Sequence, residues 1–386
     1  MFLRVNGEAI YTRGANMVAL DQLEGRTTDA NYRRLVQSAA DAGMTMIRIW
    51  GGGTFLSQAY YTACDQLGVL LYHDMMFAVE TGQPHLAYKS DTVERELRHQ
   101  IRRLAAHPSI AIWDGCNECR VVMQKDDPNN STHSSYYPHG TELYATCVGL
   151  LACCSVRPLC KEAMTFCWLD RFVLQTVVDE DKSRVVWPSC PAAGWASGVH
   201  RLTGLPTGGP LVTRNDSAKG GKIEVHGPYR QGTGISSINP GGRFYQLEAP
   251  SFKSGDTGTM FNSIFVSEFG SVGMSSFESM SATLAPEHWS VHGGTTEQDK
   301  CDGEHTSHCQ GGNVMGYRNH MTDNQIEAAF GNSTRTNLSA EGAAAFQEQL
   351  YKSMIGQALD MKREIEEQRS INSFGMLVWQ LGEVWP

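Results

Sequence analysis

Two apolar runs in this chain end in a glutamate: Ile110-Ala111-Ile112-Trp113-Asp114-Gly115-Cys116-Asn117-Glu118 and Ile264-Phe265-Val266-Ser267-Glu268-Phe269-Gly270. A run that is apolar on successive rather than alternate residues describes a strand covered on both faces. That is the condition of a parallel sheet flanked by helices. Such folds collect their chemistry at the C-terminal strand ends. Two carboxylates delivered there are the minimum equipment for cleaving a glycosidic bond.

The rest of the chain keeps the rhythm of strand and helix. Ile10 to Asn16 reads as a strand, and Asp29 to Ala42 as a helix with Tyr32, Leu35, Val36 and Ala39 on one face and Gly43 as its stop. Thr45 to Trp50 is the next strand. Ser57 caps a helix running to Leu67, with Gly68 as its stop, and Val69 to His73 is a third strand. Asp91 and Glu94 make a capping box for a helix with Val93, Leu97, Ile101 and Leu104 on its apolar face. Further strands are expected at Ile110–Trp113, Arg184–Trp187, Lys222–His226, Ile264–Ser267 and Met376–Gln380. A last helix spans about Ala344–Arg369, with Leu350, Met354, Met361 and Ile365 inward. Strands and helices in this alternation fit a (β/α)8 TIM barrel over residues 1–386 better than an open doubly wound sheet. Gly51-Gly52-Gly53 lacks the spacing of a dinucleotide loop. Pro188 to Gly258, rich in Gly, Ser and Pro, reads as loops on the active face.

The chain has 386 residues, 41% hydrophobic and 19% charged, enough for one large core. With 32 basic and 41 acidic residues and no basic tract, no nucleic-acid partner is expected. The longest apolar stretch, Cys147 to Val156, is too short to span a bilayer, so no membrane span is expected. Met1 to Gly7 lacks a signal-peptide core. Asn6-Gly7 sits in a hairpin pattern instead, and the chain stops just after a strand. Both features suggest a piece of something longer or a truncated gene. The 11 cysteines, the sequons at Asn129/Asn130, Asn215, Asn332 and Asn337, and the candidate disulfide Cys301–Cys309 favour a lumenal or secreted setting. Cys116 and Cys119 have zinc-site spacing, but no second pair accompanies them, so no metal site is expected.

The segments Asn117-Glu118 and Ser267-Glu268-Phe269-Gly270 resemble the acid/base and nucleophile motifs of glycoside hydrolase family 2. Trp113-Asp114-Gly115-Cys116-Asn117-Glu118 is similar to its β-mannosidase branch. So, in order, are Arg13-Gly14-Ala15-Asn16, Arg48-Ile49-Trp50-Gly51-Gly52-Gly53, His73-Asp74-Met75-Met76-Phe77-Ala78, His107-Pro108-Ser109-Ile110 and Trp379-Gln380-Leu381. The resemblance implies a retaining exo-glycosidase that removes terminal β-D-mannose from oligosaccharides or glycoproteins without a cofactor. Its alternatives are endo-β-mannosidase, exo-β-glucosaminidase, β-galactosidase, or a carbohydrate-binding relic without catalysis. It also implies flanking β-sandwich domains that this sequence does not contain, and a lysosomal, vacuolar or secreted location. Residues 147–171, with five cysteines and no clear period, interrupt the family pattern and read as an insertion or a retained intron.

Roles follow for single residues. Glu118 is the expected general acid, its pKa raised by the apolar strand and Trp113. Glu268 is the expected nucleophile. Asn117 is placed to meet the sugar's 2-hydroxyl. The family places stacking aromatics where Trp50 and Trp379 stand. Trp187 and Trp195 are further candidates, each weighed against plain core packing. Arg48 could pair with Glu268, and Asp74 could reach the sugar or orient Arg48. Glu224-Val225-His226 is similar to an Asp-x-His of the family with Glu in place of Asp, and Tyr229 nearby could hydrogen-bond the nucleophile.

Overall fold

A computed structural model gives the structure of the chain. It describes residues 3–78, 91–118, 173–187, 189–191, 224–230, 265–271, 273–292, 315, 322–331, 337–370 and 373–382. Trp195, Cys119, Cys301, Cys309 and the segment 147–171 lie outside the described residues. The chain divides into two compact units, one of residues 1–226, 261–268 and 372–385, the other of residues 227–260, 269–371 and 386.

The first unit opens on a hairpin, β1 (Leu3–Val5) and β2 (Glu8–Ile10), paired antiparallel. Its two-residue loop is Asn6-Gly7, with φ of 51° and 88°. Both values are positive, as the tight hairpin turn requires, and Asn and Gly tolerate this at least strain.

Eight further strands form one sheet: β3 (Thr12–Met17), β4 (Met46–Ile49), β5 (Leu70–Asp74), β6 (Ile110–Asp114), β7 (Val185–Trp187), β8 (Glu224–Arg230), β9 (Phe265–Ser271) and β10 (Gly375–Val378). Their order across the sheet is β7-β6-β5-β4-β3-β10-β9-β8. Each strand thus neighbours the next in sequence, and the last neighbours the first. This is the cyclic order of a (β/α)8 barrel, curled open between β7 and β8 among the described residues. The registers of β10 on β3, and of β3 through β7, are parallel.

Strand alternation sorts the side chains into two layers. Met46, Tyr72, Ile112, Trp187, Phe265, Phe374 and Leu377 share an inner cluster. Their neighbours Ile47, Ile49, Leu71, Trp113 and Val186 pack the other way, against helices α1 (Asp29–Asp41), α2 (Gln58–Leu67), α3 (Asp91–Leu104) and α4 (Gln175–Glu180). Helix α1 starts on a capping box of Thr28 and Asn31, and α2 stops at Gly68 with φ 72°. Ser57 stands at the N-cap of α2, but its hydroxyl donates to Asp29 Oδ1 (3.2 Å) and leaves the helix amides alone. Arg98 Nε donates to Glu94 Oε1 one turn back on α3 (2.8 Å), and the Asp91 side chain lies outside the described ones.

His73 points into the helix-facing layer. It is fully buried, stacks on Tyr61 with ring centroids 5.7 Å apart, and has ring nitrogens 2.9 Å from Tyr61 Oη and 2.7 Å from the Asp74 carbonyl. Burial pushes its pKa down to about 4. An unfolded His titrates near 6.5, so between these values the unfolded chain binds the extra proton and stability rises with pH. The expected gain from pH 4 to pH 6.5 is on the order of 3 kcal/mol. Denaturant unfolding across this range should show that slope, and His73→Gln should flatten it.

The second unit packs around Met274, Leu284, Val291, Ile326, Phe346 and Leu350. Among the described residues its helices are α5 (Phe277–Met280), α6 (Thr322–Phe330) and α7 (Ala343–Ser370). The buried face of α7 is Phe346, Gln349, Leu350, Ser353, Gly356, Asp360 and Glu364, not the line through Met354, Met361 and Ile365. Polar contacts set the rotation. Gln349 Oε1 accepts from the Val291 amide (2.9 Å), Asp360 Oδ2 accepts from Ser271 (2.9 Å), and the Gln325 side chain fills the space beside Gly356. Ile365 is left 39% exposed.

Candidate active site

Arg48 organises the inner face at the C-terminal strand ends. It is fully buried on β4. Its Nε donates to Asp74 Oδ1 (3.1 Å) and its Nη2 to Asp74 Oδ2 (2.6 Å), a two-pronged contact with the end of β5. Nη1 donates to Asn16 Oδ1 (2.9 Å) and to Glu268 Oε1, and Nη2 also donates to Asn117 Oδ1 (2.8 Å). All the N–H groups a guanidinium possesses are thereby used. One cation ties the ends of β3, β4, β5, β6 and β9 together. The Arg48 pKa lies well above its usual value: burial opposes this, and Asp74, Cys190 and Glu268 raise it. Burial pushes the Asp74 carboxyl up to about 6, with the Arg48 fork pulling against it.

Gly51 lets this arrangement close. Its amide donates to Asp74 Oδ2 (2.9 Å). A Cβ there would meet the Phe77 carbonyl oxygen at 2.3 Å and that of Met75 at 2.7 Å. Only glycine permits the approach.

Glu118 stands just past β6. Asn117 bridges to Ala78 and Cys190, and the Glu118 amide donates to the Cys190 carbonyl (2.6 Å). Glu118 has φ 54°, a left-handed conformation that a residue with a β-carbon adopts only when its surroundings impose it. Its side chain is 31% exposed, whereas that of Glu268 is 6% exposed. His226 lies between them, with Nδ1 2.8 Å from Glu118 Oε1 and 3.6 Å from Glu268 Oε2. A carboxylate oxygen of Glu118, one of Glu268 and a ring nitrogen of His226 all fall within 4.8 Å of one another.

A second polar layer lies beneath. Tyr72 Oη is 3.0 Å from Asp114 Oδ2 and 2.8 Å from Glu224 Oε1. Burial, and then the charges of Asp74 and Glu224, push the Asp114 carboxyl well above its ordinary range. Cys190 joins this layer to the one above. Its Sγ donates to Glu224 Oε1 (2.9 Å) and lies 2.8 Å from His226 Nε2.

The structure therefore brings together Glu118, Glu268, Asn117, Arg48, Asp74 and His226. Trp50 and Trp379, the first residues past β4 and β10, are half-buried and stand edge to face with centroids 5.2 Å apart. Trp187 stands apart: it is fully buried and packs edge-on against Tyr72, 5.3 Å between centroids. Tyr229 falls within β8, but its side chain is not described. Trp113 does not neighbour Glu118 as the sequence suggested. Strand alternation turns it to the helix layer, where its Nε1 donates to Asp181 Oδ2 (2.8 Å). Asn16, Tyr72, Asp114 and Cys190 were not singled out from the sequence. The signal for the first three was a hydrogen-bonding residue inside an otherwise apolar strand; for Cys190 there was none.

Three buried acidic groups (Asp74, Asp114 and Glu224), a fixed arginine and a carboxylate pair at the strand ends of a (β/α)8 sheet define a glycoside-hydrolase-like site. The comparisons agree. The chain is 26% identical over 396 residues to the β-mannosidase of Bos taurus, a match covering 100% of this chain and 37% of that protein. It is 38% identical over 124 residues to β-mannosidase B of Emericella nidulans, covering 32% of this chain and 15% of that one. The crystal structure of a β-D-mannosidase from Dictyoglomus thermophilum superposes with a TM-score of 0.61 at 21% identity, covering 99% of this chain and 36% of that chain. No protein-family model matches the chain. The chain is thus similar in sequence and fold to the β-mannosidases of glycoside hydrolase family 2, and it spans little more than a third of the length of the relatives it matches.

Proposed function

We propose that this chain carries the catalytic site of a retaining exo-β-D-mannosidase acting on terminal β-mannosyl residues of oligosaccharides or glycoproteins, in a lysosomal, vacuolar or secreted setting. The observation that carries the reaction type is the proximity of Glu118 and Glu268, with oxygens within 4.8 Å. Retaining enzymes hold their carboxyl groups about 5–5.5 Å apart, while inverting ones leave about 6.5–9.5 Å for a water. The relatives named β-mannosidase supply the choice of sugar.

In this reading Glu268 attacks the anomeric carbon while Glu118 gives its proton to the departing glycosidic oxygen. Water then enters against the covalent glycosyl-enzyme, with Glu118 taking its proton. Arg48 fixes the attacking carboxylate by donating to its Oε1. Asn117 has its Oδ1 held by Arg48, which turns its amide N–H groups toward use as donors to the sugar. His226 spans both carboxylates and sets the hydrogen bond to Glu118.

The test is hydrolysis of a chromogenic β-mannoside against β-glucoside, β-glucosaminide and β-galactoside controls, with the first-formed anomer read by NMR. β-Mannose as initial product supports the reading. The α-anomer overturns retention, preference for another glycoside moves the specificity, and hydrolysis of none leaves a carbohydrate-binding relic. Glu118→Ala should lower kcat on substrates with poor leaving groups by about 10²–10⁴-fold and barely affect the glycosylation step for good ones. Equal losses on both would remove Glu118 from the acid role.

A further inference from the structure

The polar layer beneath the carboxylate pair contains a three-ligand cluster that the hydrolytic reaction does not use as such. Cys190 Sγ, a Glu224 carboxylate oxygen and a His226 ring nitrogen all lie within 4.8 Å of one another. Cys190 is fully buried, and Glu224 is 4% exposed. Thiolate, imidazole and carboxylate are the ligand types zinc takes, and zinc sites with three protein ligands keep a fourth position for water. Cys190 lies just past β7, and Glu224 and His226 stand two residues apart on β8, which places their side chains on the same face.

The geometry points to an inhibitory binding site for a divalent cation of the zinc class at Cys190, Glu224 and His226. A tetrahedral zinc holds a sulfur and a nitrogen about 3.5 Å apart. Cys190 Sγ and His226 Nε2, now 2.8 Å apart, would separate by about 0.7 Å as the ion enters between them. The ion replaces the thiol proton, which leaves to solvent, and no electron is transferred.

The outer side of the site supplies the reason for inhibition. A metal-bound histidine directs its other ring N–H at a carboxylate or carbonyl. Here that nitrogen, Nδ1, faces Glu118 Oε1 at 2.8 Å. With the ion on Nε2, His226 must keep its proton on Nδ1 and donate it to Glu118. Glu118 Oε1 is then held as an acceptor against the imidazole and cannot donate to a glycosidic oxygen. The site is complete without the proposed hydrolysis. Only the inhibition rests on that reading.

Cadmium is the probe, because its bond to a thiolate absorbs in the ultraviolet. The full chain is titrated with Cd²⁺ beside Cys190→Ser and Glu224→Gln, so that the remaining thiols of the 11 cancel in the difference. One additional thiolate band in the parent protein, absent from Cys190→Ser and requiring at least about tenfold more Cd²⁺ in Glu224→Gln, supports the site. Superimposable titrations of parent and Cys190→Ser overturn it. So does an unchanged affinity in Glu224→Gln, which keeps the thiol and the side-chain volume should Cys190→Ser fail to fold. Zn²⁺ should also inhibit mannoside hydrolysis, reversibly with a chelator, and at least about tenfold more should be needed with Glu224→Gln. Cd²⁺ binding without Zn²⁺ inhibition keeps the site and overturns the Glu118 coupling. An absence of hydrolysis before any metal is added counts against the hydrolase reading alone.

Discussion

Glu268→Ala should reduce β-mannoside turnover by on the order of 10⁴–10⁶-fold, the scale on which removing a covalent nucleophile acts in other enzymes. The loss should fall on kcat, because the carboxylate bonds to the anomeric carbon only as the reaction proceeds. The vacated space lies where Glu268 receives a hydrogen bond from Arg48 and approaches His226 Nδ1 at 3.6 Å. Both are groups that attract a small anion. Added azide or formate should therefore restore part of the activity. The rescued product should have inverted configuration, since one displacement replaces two. Turnover within tenfold of the parent would remove Glu268 from the nucleophile role. Rescue with retained configuration would place the nucleophile elsewhere.

The strand that delivers Glu268 was readable because its burial is written residue by residue. Every position of Phe265–Ser271 is buried, and the sequence there is an apolar run broken only by Ser267, Glu268 and Ser271. Ile110–Asp114 is the same kind of run, with one residue less than fully covered. A strand covered on both faces must be apolar throughout, so such runs survive as signals without any alignment. Glycine stops were equally legible at Gly43 and Gly68, which both take positive φ.

What the sequence did not convey was partner choice among polar groups. Glu94 joins Arg98 along α3, a pairing not singled out from the sequence. The inward face of α7 follows hydrogen bonds of Gln349 and Asp360 rather than its methionines. Trp113 beside Glu118 in sequence suggested an apolar wall, but two successive strand residues face opposite layers. His226, more than a hundred positions away, is the group that reaches Glu118. Polar contacts depend on which strand ends meet, and periodicity within one element carries no information about that.

Arg48→Leu should be the most damaging single change to the fold of the first unit. Leucine would pack against the buried inner face, yet it would leave Asp74, fully buried, without the cation that holds both its oxygens. Asn16 and Asn117 would lose the donor on their Oδ1 atoms, and Glu268 would lose its arginine. Breaking a buried pair from one side costs about 3–5 kcal/mol, because the remaining charge has neither partner nor water. Denaturant unfolding should register a loss of that size. Adding Asp74→Leu should return much of it, since a buried ion pair replaced on both sides by apolar groups is often neutral. The double variant should still hydrolyse nothing, because the ends of β3, β6 and β9 would no longer be tied at one point. Arg48→Lys separates charge from geometry. An ammonium has three N–H groups and no planar fork, so it can neutralise Asp74 but cannot also reach Asn16, Asn117 and Glu268. It should keep more stability than Arg48→Leu while losing about 100-fold in kcat, the scale of an ångström-sized misplacement of a reacting group. If Arg48→Leu unfolds at the same denaturant concentration as the parent protein, the five-strand tie is not what holds this end of the sheet.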